Sequence, residues 1–228
     1  MDSYGNKDKF YVAVDCIIFG FDNGKLKLLV FNRKIEPFRN SLSLIGSFVK
    51  IGESVSEASV RILKEFTGLE NVYMKELKTY GSVDRDPGYR CLSVAQYALI
   101  RINDDINALI EEKGAKWIDI EKTPQLILDH NQMVEDALIR IRKIARYKPV
   151  GFELLPMKFT IPKLQTLYEA IYQRKLDSRN FRKKILSFDV IIKLEEKDRV
   201  SSKKGAYLYQ FDHHKYKKLQ KSGYNFEV

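Results

Sequence analysis

The densest group of chemically capable side chains is Asp84-Arg85-Asp86-Pro87-Gly88-Tyr89-Arg90. It falls between two strand-like runs, and Asp86-Pro87-Gly88 is a strong turn signal. Charges on a loop held by a rigid sheet are good binding groups. Arg85 and Arg90 can grip ligand oxygens, and Asp84 and Asp86 can accept hydrogen bonds from hydroxyls. That set suits a sugar or a phosphorylated sugar; the alternative is a plain turn with salt-bridged surface arginines. Asp15 is another candidate, because a charge inside the apolar run 10–21 is costly unless it is paired or faces a cavity. Arg33, just after the next strand-like run, is its expected partner. His130 either lines the same cleft or lies on the surface beside a helix-capping Asp129.

A different chemistry is written near the C-terminus. Residues 160–172, TIPKLQTLYEAIY, read as a helix capped by Thr160, with Pro162 tolerated in its first turn. A short break leads to a second helix at 179–188, capped by Asp177 or Ser178. On it Phe181, Ile185 and Phe188 share one face, and Arg179, Arg182 and Lys183 share the opposite one. A strand at 190–194, a charged stretch and a strand at 206–211 then make a hairpin. Helix, turn, basic helix and hairpin form a winged helix-turn-helix. Arg179, Asn180, Arg182 and Lys183 are expected in the major groove, where Arg reads guanine and Asn reads adenine. Lys184, Lys203 and Lys204 are expected on phosphates, which position without specifying. The plain alternative is a basic surface on a small helical domain.

The third feature is the segment 46–69, GSFVKIGESVSEASVRILKEFTGL. It resembles the Nudix box, G-x5-E-x7-R-E-U-x-E-E-x-G-U, without insertion. Ser47 stands at the first Gly, with Gly46 before it; Glu53, Arg61, Leu63, Glu65, Gly68 and Leu69 match in turn. In Nudix hydrolases three glutamates at i, i+3 and i+4 of one helix hold Mg²⁺ against a diphosphate. Here those positions are Ile62, Glu65 and Phe66. Mg²⁺ needs carboxylate oxygens, which Ile and Phe lack. The resemblance therefore implies a Nudix-like fold with no metal or other cofactor and no catalytic residues, a sensor rather than an enzyme. Glu53, Arg61 and Glu65 then have a structural use, an Arg–Glu pair locking the loop to the helix.

The elements that must carry these residues follow from local pattern. Strands are expected at 10–21, 25–31, 40–49, 75–83, 91–102 and 116–120, with Asp22-Asn23-Gly24 as a hairpin turn. Helices are expected at 56–66, where Val60, Leu63 and Thr67 recur and Gly68 closes the end, and at 131–146, with Met133, Ala137, Ile141 and Ile144 on one face. Pro149 and Gly151 mark a junction between domains 1–148 and 149–228.

Charge divides the same way. The net charge is +10, of which residues 148–228 carry +9 and residues 1–147 carry +1. A neutral domain joined to a basic one fits nucleic-acid binding. Hydrophobic residues at 44% suffice for a core. No apolar run approaches the ~20 residues that span a bilayer, and the N-terminus lacks a signal-peptide h-region. Cys16 and Cys91 lack metal-site spacing and read as small buried residues. A cytoplasmic protein without a membrane partner is expected.

Together the two halves resemble the Nudix-related transcription regulators, the NrtR family. The stretches GLENVYM (68–74), DRDPG (84–88), LYEAIY (167–172) and RNFRK (179–183) place the likeness nearest the sugar-responsive, arabinose-utilisation branch. The resemblance implies an α+β chain: an N-terminal Nudix-like α/β/α sandwich followed by a C-terminal winged helix-turn-helix. It also implies a homodimer on a pseudo-palindromic double-stranded DNA operator, acting as a repressor or an activator. The expected effector is a small molecule, a pentose sugar, with ADP-ribose sensing in NAD metabolism or Nudix hydrolysis as the alternatives.

Overall fold

The computed structural model describes residues 7–199 and 205–221. Its N-terminal elements run β1 (Tyr11–Asp22), β2 (Lys25–Asn32), β3 (Leu42–Ser43), β4 (Ile45–Phe48), α1 (Val55–Thr67), β5 (Lys75–Tyr80), β6 (Cys91–Arg101), α2 (Asp104–Glu112), β7 (Ala115–Asp119) and α3 (His130–Ala145). They are followed by α4 (Ile161–Tyr172), α5 (Ser178–Ser187), β8 (Ile191–Asp198), β9 (Ala206–Phe211) and α6 (His213–Lys221). The chain divides into two compact units. Among the described residues, the first holds 7–19, 28–98 and 103–137; the second holds 20–27, 99–102, 138–199 and 205–221.

β1 is the centre of the large sheet, whose order is β3-β2-β1-β6-β5, with β4 also on β1 and β7 on β2. Its β-branched and aromatic residues suit a strand, and it is buried almost continuously because neighbours cover both of its faces. Asn23 and Gly24 both take positive φ, 48° and 77°, the geometry a two-residue hairpin turn demands. α1 begins one residue earlier than its pattern predicts. Ser54 and Glu57 form a reciprocal capping box there, and Gly68 ends the helix at φ 73°. Val60, expected on the apolar face, is exposed. The buried positions are Ala58, Ser59, Ile62, Leu63 and Thr67. Ile62 thus sits where side chains enter the core.

Two helices lie outside the sequence expectation, α2 and α6. α2 is capped by Asn103, whose side chain accepts from Ile106 N, with Asp104 and Asp105 in the first turn complementing the helix dipole.

In the second unit the helix-turn-helix forms as expected. Thr160 caps α4, and Asp177 caps α5 by accepting from Asn180 N at 2.8 Å. Glu169 on α4 fixes the turn between them: its Oε1 accepts from Leu176 N at 3.0 Å, and Lys175 Nζ pairs with its Oε2 at 2.9 Å. Those bonds, the Leu176 N–H first, hold the Glu169 carboxyl at about 2. Phe181 and Ile185 are buried beneath α5. β8 and β9 form a two-stranded hairpin, and Phe159 bridges to Tyr209 beside it. β8 extends through Glu195–Asp198, beyond the expected end at 194. No described helix is long and apolar enough to cross a membrane.

Candidate functional site

The first unit contains a cavity of about 340 Å³ against the β1–β4 pairing. Asp15 reaches it from β1, and Gly46 lies directly opposite in register. A Cβ at Gly46 would fall 2.1 Å from Asp15 Oδ1 and 3.0 Å from the Val14 carbonyl. Only glycine leaves room for that buried carboxylate.

Asp15 is 6% exposed and has three partners from distant segments. Ser93 Oγ donates to its Oδ2 at 2.6 Å, Arg85 Nη2 stands 3.5 Å from that oxygen, and His130 Nε2 lies 3.6 Å from Oδ1. The expected pairing with Arg33 is not the one formed. Arg33 turns its Nε to the carbonyls of Ile35 and Pro37, at 3.2 and 2.6 Å, because the chain folds back there and brings both carbonyls to it. Arg33 still lines the cavity.

Arg85 is the central cation. It is buried, and its Nε and Nη2 donate to the two oxygens of Asp129 at 3.0 and 2.9 Å. Burial opposes its charge, but the Asp129 hydrogen bonds, with Asp15 behind them, raise its affinity for the proton. Asp129 is therefore an ion-pair partner, and His130 is no surface residue: it is 3% exposed and lines the cavity. His130 Nδ1 accepts from Leu44 N at 3.0 Å, so the neutral ring carries its proton on Nε2, toward Asp15. Burial lowers its pKa, against the opposing pull of Asp15 and Asp129.

Asp86 also lines the cavity, its Oδ1 accepting from Gly88 N at 2.8 Å. Asp84 and Arg90 do not. Asp84 is exposed, and Arg90 donates to the Ser82 carbonyl and covers the Phe10 ring. The walls that sequence reasoning missed are aromatic: Phe31, Phe38, Phe48 and Phe66, with Lys34 beside Arg33. Phe31 and Phe66 meet edge to face at 5.3 Å.

The Nudix-like loop and helix are locked as expected. Arg61 Nε and Nη2 donate to Glu53 at 2.9 and 2.5 Å, its Nη1 reaches Glu65 at 3.1 Å, and Nη2 also meets the Phe48 carbonyl. The Arg61 hydrogen bonds, helped by Lys50 N, hold the Glu53 carboxyl at about 2. This donor set does not suit Mg²⁺. Ile62 is packed into the core, Phe66 faces the cavity, and the two remaining carboxylates are engaged by one guanidinium. Among the described residues, no cluster of three or more acidic, His or Cys side chains is placed to hold a metal. Cys16 and Cys91 are buried and free.

In the second unit, Arg179 and Lys183 point away from the buried Phe181–Ile185 face of α5. Arg182, expected to share that outward face, leans to the hairpin instead, its Nη2 3.3 Å from Tyr209 Oη. Its helical position lies about 100° from Phe181, on the flank nearer the wing. Asn180, Lys183 and Lys184 line a groove on the other flank. Lys203 and Lys204 lie outside the described residues.

Residues 9–137 match the NUDIX domain, and residues 151–211 match the NrtR DNA-binding winged helix domain. The chain is 28% identical over 204 residues to the ADPR responsive transcriptional repressor NtrR of Acinetobacter baylyi, covering 88% of this chain and 81% of that one. It is 39% identical over 125 residues to the ADP-ribose pyrophosphatase of Methanocaldococcus jannaschii, 55% of this chain and 71% of that protein. The crystal structure of Shewanella oneidensis NrtR complexed with a 27mer DNA superposes with a TM-score of 0.74 at 26% identity, covering 94% of this chain and 97% of that one. The Nudix domain followed by a winged helix is thus the architecture, as expected. The sugar-responsive branch finds no support among these relatives, two of which carry ADP-ribose in their names.

Proposed function

The chain belongs to the NUDIX domain family, and on that premise we propose that it is a transcription repressor whose winged helix binds operator DNA and whose Nudix domain responds to ADP-ribose. The observation that carries the reading is one cavity combining phenylalanine faces with cations. ADP-ribose offers an adenine to lie against Phe31, Phe38, Phe48 or Phe66. Its diphosphate suits Arg33, Lys34 and Arg85, and its ribose hydroxyls suit Asp86 and Asp15. A free pentose has neither base nor phosphate and leaves those groups unused. The name of the Acinetobacter relative supports the same effector.

In this reading Arg179, Asn180 and Lys183 meet base edges, while Arg182, Lys184, Lys203 and Lys204 hold the backbone. The active form is a homodimer on a pseudo-palindromic site, placed in the cytoplasm with the chromosome. ADP-ribose acts by preferring one of two dimer states.

A second reading, hydrolysis of ADP-ribose, is favoured by the likeness to a pyrophosphatase. Glu53 and Glu65 are the box carboxylates left for it, and Arg61 engages both.

The test is a complex of the full-length protein with a duplex selected from a random pool, titrated with ADP-ribose, ribose and arabinose. ADP-ribose should release the duplex without Mg²⁺, and the free sugars should not. Release by a free pentose alone would overturn the effector; intact complex with ADP-ribose cleaved only in Mg²⁺ would favour the hydrolase.

A further inference from the structure

The groove beside α5 has a volume of about 750 Å³ and is lined by cations from three segments: Arg146 after α3, Arg174 in the helix-turn-helix turn, and Lys183 and Lys184 on α5. No acid stands within ion-pair distance of any of the four among the described residues. The one acid lining the groove, Asp177, is occupied as the cap of α5. Four cations gathered around a concavity repel one another unless an anion joins them. The Tyr172 hydroxyl is also buried there without a hydrogen-bond partner, and the Arg174 guanidinium lies over its ring at 5.6 Å.

Position decides which anion. Arg179 and Lys183 mark the outward face of α5, and the groove opens along one flank of the same helix. A recognition helix in a major groove about 12 Å wide has a sugar-phosphate strand on each side. One flank of α5 faces the wing, through Arg182 and Tyr209. The other flank is this groove.

We propose that Arg146 and Arg174 clamp the phosphates of the DNA strand on the α5 flank opposite the wing, a backbone site formed outside the recognition helix. The site rests on the DNA-binding reading above and deepens it. Arg is suited to the task because its planar fork takes two phosphate oxygens at once. The contact carries no sequence information, so the two arginines set affinity and register for any duplex.

The experiment measures binding of the full-length protein to a selected duplex and to a mixed-sequence duplex across a salt series. Each lost phosphate contact lowers the slope of log affinity against log salt by about 0.9. Arg146→Gln and Arg174→Gln should each flatten the slope by that amount on both duplexes, leaving the ratio of the two affinities unchanged. Arg146→Lys and Arg174→Lys should restore most of the slope, which separates lost charge from lost folding. Unaltered slopes in the Gln variants, with wild-type protein binding normally, would overturn the clamp while leaving DNA binding intact. Sedimentation that shows the Gln variants changing oligomeric state instead of salt slope would also overturn it. Failure of the wild-type protein to bind any duplex would remove both the clamp and the reading beneath it.

Discussion

Arg85 grips Asp129 through both Nε and Nη2, at 3.0 and 2.9 Å, while the same Nη2 stands 3.5 Å from Asp15. One guanidinium thus serves two carboxylates from segments far apart in the chain, and the cavity floor depends on it. Arg85→Met should destabilise the full chain by about 3–5 kcal/mol, the usual cost of stripping one partner from a buried pair. Arg85→Lys should recover little, since an ammonium cannot make both bonds to Asp129. Chemical denaturation with the m-value checked for constancy measures this; a loss under about 1 kcal/mol would be that of an exposed pair and would contradict the burial.

His130 gives the first unit a pH signature. Burial holds its pKa below the ordinary 6.5, so the native ring stays neutral while the unfolded ring takes a proton. Stability therefore falls as pH drops below 6.5 toward the native pKa, with a slope of up to about 1.4 kcal/mol per pH unit. His130→Asn keeps an acceptor for Leu44 N but loses the Nε2–H toward Asp15, so it should flatten that interval while costing stability at neutral pH. A wild-type curve already flat below pH 6.5 would count against a neutral, buried ring.

Glu169 acts in a lower window. Its carboxyl sits at about 2 against an ordinary 4.5. The charged form is favoured by folding, so its contribution is complete above 4.5 and is lost as pH falls through about 2. Glu169→Gln should reduce the acid sensitivity between those values, and Glu169→Ala, which removes the acceptor of the Leu176 N–H, should weaken DNA binding at neutral pH because the α4–α5 turn loses its brace. Unaltered DNA affinity in the Ala variant would show that the turn is set without Glu169.

Much of the frame was legible because it is local. Asn23-Gly24, the Gly68 cap and the unbroken register from Ser47 to Leu69 each specify geometry within a few residues. Asp15 was legible as an anomaly, a charge in an apolar strand, but its partner was not. Arg33 is near in sequence, whereas Arg85, Ser93 and His130 arrive only through tertiary folding. The phenylalanine walls were hidden for the same reason, since each looks like core on its own element. α2 carries its own local signal in Asn103-Asp104-Asp105, a capping side chain followed by two acids in the first turn. β8 continues through Glu195–Asp198 because half of an exposed hairpin needs no apolar face, so no alternation announces it.

Gly46 tests the cavity by sterics alone. Gly46→Ala would set a methyl 2.1 Å from Asp15 Oδ1. The carboxylate must then leave Ser93 and Arg85 or the β1–β4 pairing must shift, an overpacking cost of about 1–3 kcal/mol. Effector affinity should fall with it. Gly81→Ala makes a useful contrast: its nearest neighbour is a Leu92 methyl at 2.9 Å, the end of a flexible side chain. Equal tolerance of both substitutions would mean that Asp15 is not held as described.

The most direct measurement is thermal unfolding of the full-length protein against ADP-ribose, ribose and arabinose, each with and without Mg²⁺. A ligand that binds only the folded chain raises the midpoint as its concentration rises. ADP-ribose should raise it equally with and without Mg²⁺, and Phe66→Ala should weaken the response. A midpoint that moves with a free pentose and ignores ADP-ribose would contradict the account.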